Sequence, residues 1–105
     1  MVDLVKLQKE VYQNKINHGF NVTDLNMEFC LAYGELGEAY MAWLKQKEDL
    51  GEELADVAIY LLGISEILNI NLGEEIEHKI KKNAGRKYVK VNGVYVKEEG
   101  VLWKY

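Results

Sequence analysis

The stretch from Phe29 to Leu44, FCLAYGELGEAYMAWL, decides the fold of this 105-residue chain. The whole sequence lacks proline, which would interrupt a helix, and the only charged residues of this stretch are Glu35 and Glu38. A helix at a protein surface usually has one charged face, so a stretch with so little charge predicts a long helix that is buried on most of its faces. At helical spacing, its large side chains form one stripe of Phe29, Tyr33, Leu36, Tyr40 and Trp43.

A second stretch, EELADVAIYLLGI over residues 52–64, repeats this arrangement. It carries Glu53 and Asp56 and then stays uncharged to its end. Because residues three apart are neighbours on a helix surface, these two carboxylates point the same way, as do those of Glu35 and Glu38. If the two helices pack antiparallel through a short connection, the four carboxylates converge.

Converging carboxylates are unfavourable without a compensating charge, because burying an ion costs several kcal/mol and like charges repel. A hard divalent cation resolves the conflict, and oxygen-only ligands favour Mg²⁺, with Mn²⁺ as a substitute, over zinc. The alternative is that all four are exposed surface acids, with Glu53 and Asp56 stabilised by a nearby helix N-terminus. The spacing leaves both interpretations open, and two pairs on otherwise uncharged stretches favour the metal.

Helical patterning continues on both sides of these stretches, and we predict an all-α four-helix bundle with a short C-terminal β-hairpin. The hairpin is indicated by alternating β-type residues around Asn92-Gly93, the dipeptide most favoured in tight hairpin turns. Trp103 and Tyr105 are expected to anchor it. The predicted helices cover about residues 2–16, 24–46, 48–68 and 71–85, in a single domain over residues 1–105 with a helical core, 1–86, and a hairpin tail, 87–105.

The composition, 49% hydrophobic and 29% charged residues, is typical of a globular protein. No stretch has the roughly 20 apolar residues of a membrane-spanning helix, and the first residues do not resemble a signal peptide, so we expect a cytoplasmic protein without a membrane partner. The net charge of −4 disfavours stable nucleic-acid binding. The single cysteine, Cys30, lies among apolar residues and is expected to be a buried, unreactive thiol.

Charge is distributed unevenly along the chain. Of the 13 basic residues, eight lie after His78, whereas 15 of the 17 acidic residues lie before Lys79. The basic residues near Lys82 and Arg86 either complement the negative end of a helix dipole or form a phosphate-facing surface, and composition does not choose between these.

Helices two and three are apolar on more faces than a four-helix monomer of this size can cover. An uncovered apolar face usually marks an interface. We therefore expect a homodimer that buries Tyr33, Tyr40 or Trp43, or a homotetramer.

Three segments carry a resemblance to a known family: GELGEAY at residues 34–40, EELADVAIYLL at 52–62 and NLGEEIEHKIKKNAGRKY at 71–88. Together they resemble the MazG-like branch of the all-α NTP pyrophosphatase superfamily, and the resemblance covers about residues 25–88. The combination of E-x-x-E, E-x-x-D and K-x-x-x-N-x-x-R is more specific than any one part. The resemblance implies a Mg²⁺-dependent nucleotide pyrophosphohydrolase that converts a (d)NTP to the (d)NMP and pyrophosphate. The physiological role that it implies is the removal of unwanted nucleotides from the cell's nucleotide pool.

The resemblance also implies roles for individual residues. The Mg²⁺ ligands are then Glu35, Glu38, Glu53 and Asp56, and Glu38 or Glu53 is the catalytic group that accepts a proton from water. The residues implied near the phosphates are Tyr60, Lys79, Asn83 and Arg86. The segment between the first two helices provides candidates for base recognition, namely Asn14, Lys15, His18 and Phe20.

One position departs from the family pattern. Many members have E-E-x-x-E, and Gly34 replaces the first glutamate here. Glu28 or Glu52 could substitute for it. The departure keeps two alternatives open: a related enzyme of the superfamily, such as phosphoribosyl-ATP pyrophosphohydrolase or a dimeric dUTPase, and a helical module that binds metal or nucleotide, or regulates a partner, without catalysis.

Overall fold

The structure, a computed structural model, describes residues 1–98, and it is consistent with the predicted all-α four-helix bundle with a C-terminal hairpin. Every predicted helix is present, with ends one or two residues from those expected. The elements are α1 (Leu4–Asn17), α2 (Leu25–Leu44), α3 (Leu50–Ile67), α4 (Leu72–Ala84), β1 (Tyr88–Val91) and β2 (Val94–Lys97). The chain divides into two compact units, Met1–Gly73 and Glu74–Tyr105, and the second is described up to Glu98.

Local signals in the sequence set the helix ends. Asp3 and Asp24 precede α1 and α2, and each accepts a backbone N–H three residues further on, at 3.2 and 3.1 Å. These bonds satisfy N–H groups that a first helical turn leaves free. After α2 and α3, Gln46 and Asn69 have positive φ angles of 54° and 58°. Asparagine tolerates this left-handed conformation, and the predicted stop at Asn69 is confirmed.

In the first unit, α3 packs against both α2 and α1. The buried apolar residues are few: Ala39 and Ala42 from α2, and Leu62 and Ile64 from α3. Residues 45–49 connect α2 to α3, and so short a connection makes the two helices antiparallel neighbours. This arrangement brings the Glu35–Glu38 pair of α2 and the Glu53–Asp56 pair of α3 to the same end of the two helices.

A buried polar side chain ties α1 to the segment after α3. The Nε2 of Gln8 donates to Glu66 Oε1 at 3.0 Å and to the carbonyl oxygen of Ile70 at 2.6 Å. Its Oε1 accepts the backbone N–H of Leu72 at 3.3 Å. Both ends of the amide are therefore bonded, as burial of a polar group requires.

The prediction that α2 is buried on most faces is wrong for a single chain. The whole stripe that begins at Phe29 is exposed, with Tyr33 at 75% and Trp43 at 60% of full exposure. Cys30 is also exposed rather than buried. The sequence pattern correctly predicts that this face of α2 is apolar. The helices that pack against α2 leave much of that face uncovered.

The second unit contains α4 from Glu74 onward and the hairpin. The strands pair antiparallel, with Val89 opposite Val96 and Val91 opposite Val94. Asn92 and Gly93 have φ angles of 50° and 82°, as the predicted two-residue turn requires. The expected anchors, Trp103 and Tyr105, lie outside the described residues. Within residues 1–98, every helix is too short or too polar to cross a bilayer.

Candidate metal centre and the neighbouring cleft

Three of the four predicted metal ligands come together in the first unit. Oxygen atoms of Glu35 and Glu38, from α2, and of Glu53, from α3, all lie within 4.8 Å of one another. Glu38 is exposed, whereas Glu35 and Glu53 are half-buried. The antiparallel packing of α2 and α3 thus brings together three of the four carboxylates whose convergence the spacing predicts.

The fourth acid, Asp56, is exposed and lies outside this group of three, but its charge acts on the group. Partial burial and then the charges of Glu38, Asp56 and Glu53 raise the pKa of Glu35 above its ordinary range. Loss of hydration and then the charges of Asp49, Glu38 and Asp56 raise the pKa of Glu53. The carboxylates are close enough to oppose each other's ionisation, as expected of acids that share a site.

A second polar cluster in the same unit involves a buried acid. Glu28 is 1% exposed, and its Oε1 accepts Lys15 Nζ at 2.7 Å. Its Oε2 accepts the side-chain N–H of Asn21 at 2.9 Å. Both oxygens of Glu28 are therefore bonded to groups on α1 and on the loop that follows it. Glu28 is one of the two residues that could substitute for the glutamate missing at position 34, and this ion pair already occupies it.

A cleft of about 320 Å³ opens between α1 and α3, beside the Lys15–Glu28 pair. This volume is at the small end of the range of ligand pockets. Its lining includes Val11, Asn14, Lys15, Phe20, Ile59, Tyr60 and Gly63. Three of the four candidates for base recognition thus line one cleft, and the fourth, His18, stacks on Phe20 with ring centroids 5.2 Å apart.

Tyr60 connects the cleft to the carboxylates. Its ring lies under the Lys15 ammonium, 5.7 Å from Nζ to the ring centroid. Burial, and then the charges of Glu28, Glu35, Asp56 and Glu38, raise the pKa of Tyr60. One side chain therefore lines the cleft and also lies in the electrostatic field of the acidic group.

In the second unit, the three predicted phosphate-contacting residues belong to one basic surface. Arg86 Nη1 donates to Asn83 Oδ1 at 2.8 Å. The positive charge of Arg86, then burial, and then the charges of Lys82 and Lys97 lower the pKa of Lys79. Positive charges that lie close enough to repel one another in this way produce a positive surface potential, and such a potential attracts anions.

No protein-family model, curated protein or solved structure matches the chain. The acidic group, the cleft and the sequence pattern are therefore the observations on which its function rests.

Sequence reasoning missed the structural role of Glu28 and the lining role of Gly63. Glu28 lies in the first turn of α2, where an acid is usually an exposed partner of the helix dipole. Its burial depends on Lys15, 13 residues earlier, and on the loop geometry around Asn21. In the sequence, Gly63 is only one small residue within a stretch that predicts an apolar helix. No local signal distinguishes either residue from its neighbours.

Replacing Glu35 with glutamine should stabilise the metal-free protein at neutral pH and remove its stabilisation by Mg²⁺. The raised pKa of Glu35 means that the folded chain binds protons more tightly than the unfolded chain. The carboxyl therefore costs stability as pH rises through its folded pKa, and glutamine avoids this cost. Thermal unfolding with EDTA and with MgCl₂, at neutral and mildly acidic pH, measures both effects.

In that experiment, the stability difference between wild type and Glu35→Gln in EDTA should shrink as pH falls, because the wild-type carboxyl then becomes protonated. Glu48→Gln removes the same charge from the exposed connection before α3 and should still be stabilised by Mg²⁺. An equal Mg²⁺ effect on wild type and Glu35→Gln would show that Glu35 does not bind the ion.

Proposed function

We propose that this chain is a Mg²⁺-dependent nucleoside triphosphate pyrophosphohydrolase of the all-α MazG-like type, which converts a (d)NTP to the (d)NMP and pyrophosphate. The observation that carries the proposal is the convergence of three carboxylates, two of which act electrostatically on Tyr60, a residue that lines a cleft of ligand size. The sequence pattern of acidic pairs followed by K-x-x-x-N-x-x-R supports a triphosphate as the ligand. Removal of unwanted nucleotides is the physiological role that fits this reaction.

The acidic group fits a magnesium ion. Mg²⁺ prefers oxygen ligands, and carboxylates are the protein groups that most often supply them. The oxygens of Glu35, Glu38 and Glu53 lie within 4.8 Å of one another, so these three side chains would hold one ion after moving closer together around it. Asp56 is the further ligand that the sequence pattern provides. Mn²⁺ has the same preference for oxygen and is expected to substitute.

When bound, Mg²⁺ neutralises charge on the phosphate oxygens as the phosphoanhydride bond breaks. The protein holds and orients the triphosphate and the attacking water. A carboxylate of the group, Glu38 or Glu53, accepts the proton of that water as its oxygen bonds to phosphorus. The bond between the α- and β-phosphates breaks, and pyrophosphate leaves with the electron pair.

The remaining proposed contacts are divided between the ends of the nucleotide. Tyr60 lies in the field of the carboxylates and is assigned to the phosphates. The family pattern separately implies a phosphate-binding role for Lys79, Asn83 and Arg86, which belong to the second unit. Lys15 is already paired with Glu28 at 2.7 Å, so it acts on substrate from a fixed position in the cleft. His18 acts through the ring of Phe20, on which it stacks.

Incubation with the standard and modified (d)NTPs in MgCl₂, with monophosphate and pyrophosphate quantified, tests this function. We expect equal amounts of the two products and no activity in EDTA. The substrate profile separates the proposal from its relatives, since a dUTPase acts on dUTP alone and a phosphoribosyl-ATP pyrophosphohydrolase acts on phosphoribosyl-ATP. If no triphosphate is hydrolysed, the enzyme proposal fails.

The second candidate function is a helical module that binds metal or nucleotide, or regulates a partner, without catalysis. Gly34 favours it, because a Cβ atom there would meet no atom within 4 Å outside its own stretch of α2, so close packing does not account for the missing glutamate. A module of this kind binds Mg²⁺ and nucleotide in calorimetry but forms no pyrophosphate. The incubation above therefore distinguishes the two functions directly.

We further propose that the exposed α2 stripe is the interface of a homodimer or homotetramer. Tyr40 and Trp43 stack with ring centroids 6.1 Å apart, and both remain more than half exposed. Tyr40→Glu places a charge within this apolar surface and should shift the sedimentation coefficient toward that of a monomer. Tyr95→Glu, at a similarly exposed tyrosine of the hairpin, is the matched control and should not. A wild type that sediments as a monomer contradicts the proposal.

A further inference from the structure

The wall of the cleft contains a residue without a side chain. Gly63 is buried in the C-terminal half of α3 and faces Val11 and Lys15 of α1. Glycine in a helix interior is unfavourable by about 0.5–1 kcal/mol relative to alanine, so its presence there calls for a reason. α3 also contains Gly51, which has open space around it and does not line the cleft.

Close packing of helices does not explain Gly63. A Cβ atom at this position would lie 3.4 Å from Val11 Cγ1 and 3.7 Å from Lys15 Cδ, which are ordinary van der Waals distances. Apart from its two chain neighbours and the nearby backbone of α3, no other atom of the described residues would lie within 4 Å of it. Alanine therefore fits between α1 and α3. Its methyl group would occupy part of the space in the cleft.

The other lining residues make the cleft suitable for a flat, apolar ring. Val11 and Ile59 provide aliphatic surface, and Phe20 and Tyr60 provide aromatic surface. Among the described residues, Lys15 is the one cation of the lining, and the acids of the lining are Glu10 and Glu28. Glu28 neutralises the charge of Lys15 at 2.7 Å, so the cleft does not attract a phosphate strongly. Asn14 supplies an amide that can donate and accept hydrogen bonds at a ring edge.

We infer that Gly63 is a specificity-determining residue, which gives the cleft the room to hold a bicyclic purine ring as the base of the substrate. This inference rests on the proposed function for its link to catalysis, but binding of a nucleoside to the cleft can be measured without it. A single-ring pyrimidine needs less depth and depends less on the space at residue 63. One methyl group in an apolar pocket changes the discrimination between ligands by about tenfold or more.

The test is titration of adenosine and cytidine into the full chain in EDTA, followed by the methyl NMR signals of Val11 and Ile59. In the wild type, adenosine should shift these signals. In Gly63→Ala, the dissociation constant for adenosine should rise by about tenfold, and that for cytidine should rise less. Gly51→Ala makes the same change in the same helix outside the cleft and should bind both nucleosides as the wild type does.

Phe20→Ala tests the same cleft without touching the helices, since Phe20 is an exposed loop residue whose side chain contributes little to the core. It should weaken the binding of both nucleosides. The inference is overturned if adenosine leaves the wild-type methyl signals unmoved, if Gly63→Ala binds adenosine as tightly as wild type, or if both nucleosides lose affinity equally in Gly63→Ala. Failure of the proposed function gives a different result, in which adenosine binds as expected but no triphosphate is hydrolysed.

Discussion

Replacing Glu38 with glutamine is expected to lower kcat/KM for nucleoside triphosphates by at least about 100-fold. Glutamine keeps the size of the side chain but removes the charge that a hard cation requires. Glu38 is the most exposed of the three converging acids, so the substitution should leave the fold intact. Initial rates of pyrophosphate release over a range of Mg²⁺ concentrations measure the effect.

The dependence on Mg²⁺ identifies the cause of the loss. If Glu38 binds the ion, the variant should need a higher Mg²⁺ concentration for half-maximal rate. If Glu38 only accepts a proton, the rate should fall without a change in Mg²⁺ affinity. Glu48→Gln, which removes an equal charge outside the group, should retain wild-type kinetics. A Glu38→Gln variant with full turnover would refute both roles and the proposed site with them.

Much of the fold and part of this site could be predicted from sequence because the signals are local. The pairing of Glu35 with Glu38 follows from helical spacing alone. The hairpin turn follows from the positive φ angles that Asn92 and Gly93 readily adopt. The helix stop at Asn69 follows from the same preference. In each case a few consecutive residues contain the whole physical cause.

The features that sequence did not predict depend on residues far apart in the chain. The α2 stripe looked like a buried core, but periodicity records only that a face is apolar and not what covers it. The cleft forms where α1 and α3 meet at Val11 and Gly63, which are about 50 residues apart in the sequence. Glu28 became a buried ion through Lys15 and Asn21. None of these outcomes can be deduced from one helix at a time.

Replacing Glu28 with alanine is expected to lower the free energy of unfolding by about 3–5 kcal/mol, because it breaks a buried ion pair. The side chain of Glu28 is 1% exposed and that of Lys15 is 12% exposed, so the loss leaves a largely buried ammonium without its partner. For a chain of this length, such a change lowers Tm by more than about 10 °C. Thermal and urea unfolding in EDTA measure it without any contribution from metal binding.

Two further variants separate the charge effect from loss of packing. Glu10→Ala removes the acid of an exposed pair with Lys6, whose 4.0 Å separation and exposure make it worth less than about 1 kcal/mol. Combining Glu28→Leu with Lys15→Met removes both buried charges, and it should recover most of the stability because neither ion is left unpaired. Asn21 keeps its bond to the carbonyl oxygen of Asp24 at 2.9 Å in this double variant.

Two outcomes would contradict this explanation. If the free energy of unfolding of Glu28→Ala lies within about 1 kcal/mol of the wild-type value, water reaches Lys15 and the ion pair does not hold α1 against α2. If the double variant is as unstable as the single one, the cause is lost packing, and the Lys15–Glu28 charges contribute little to the free energy of unfolding.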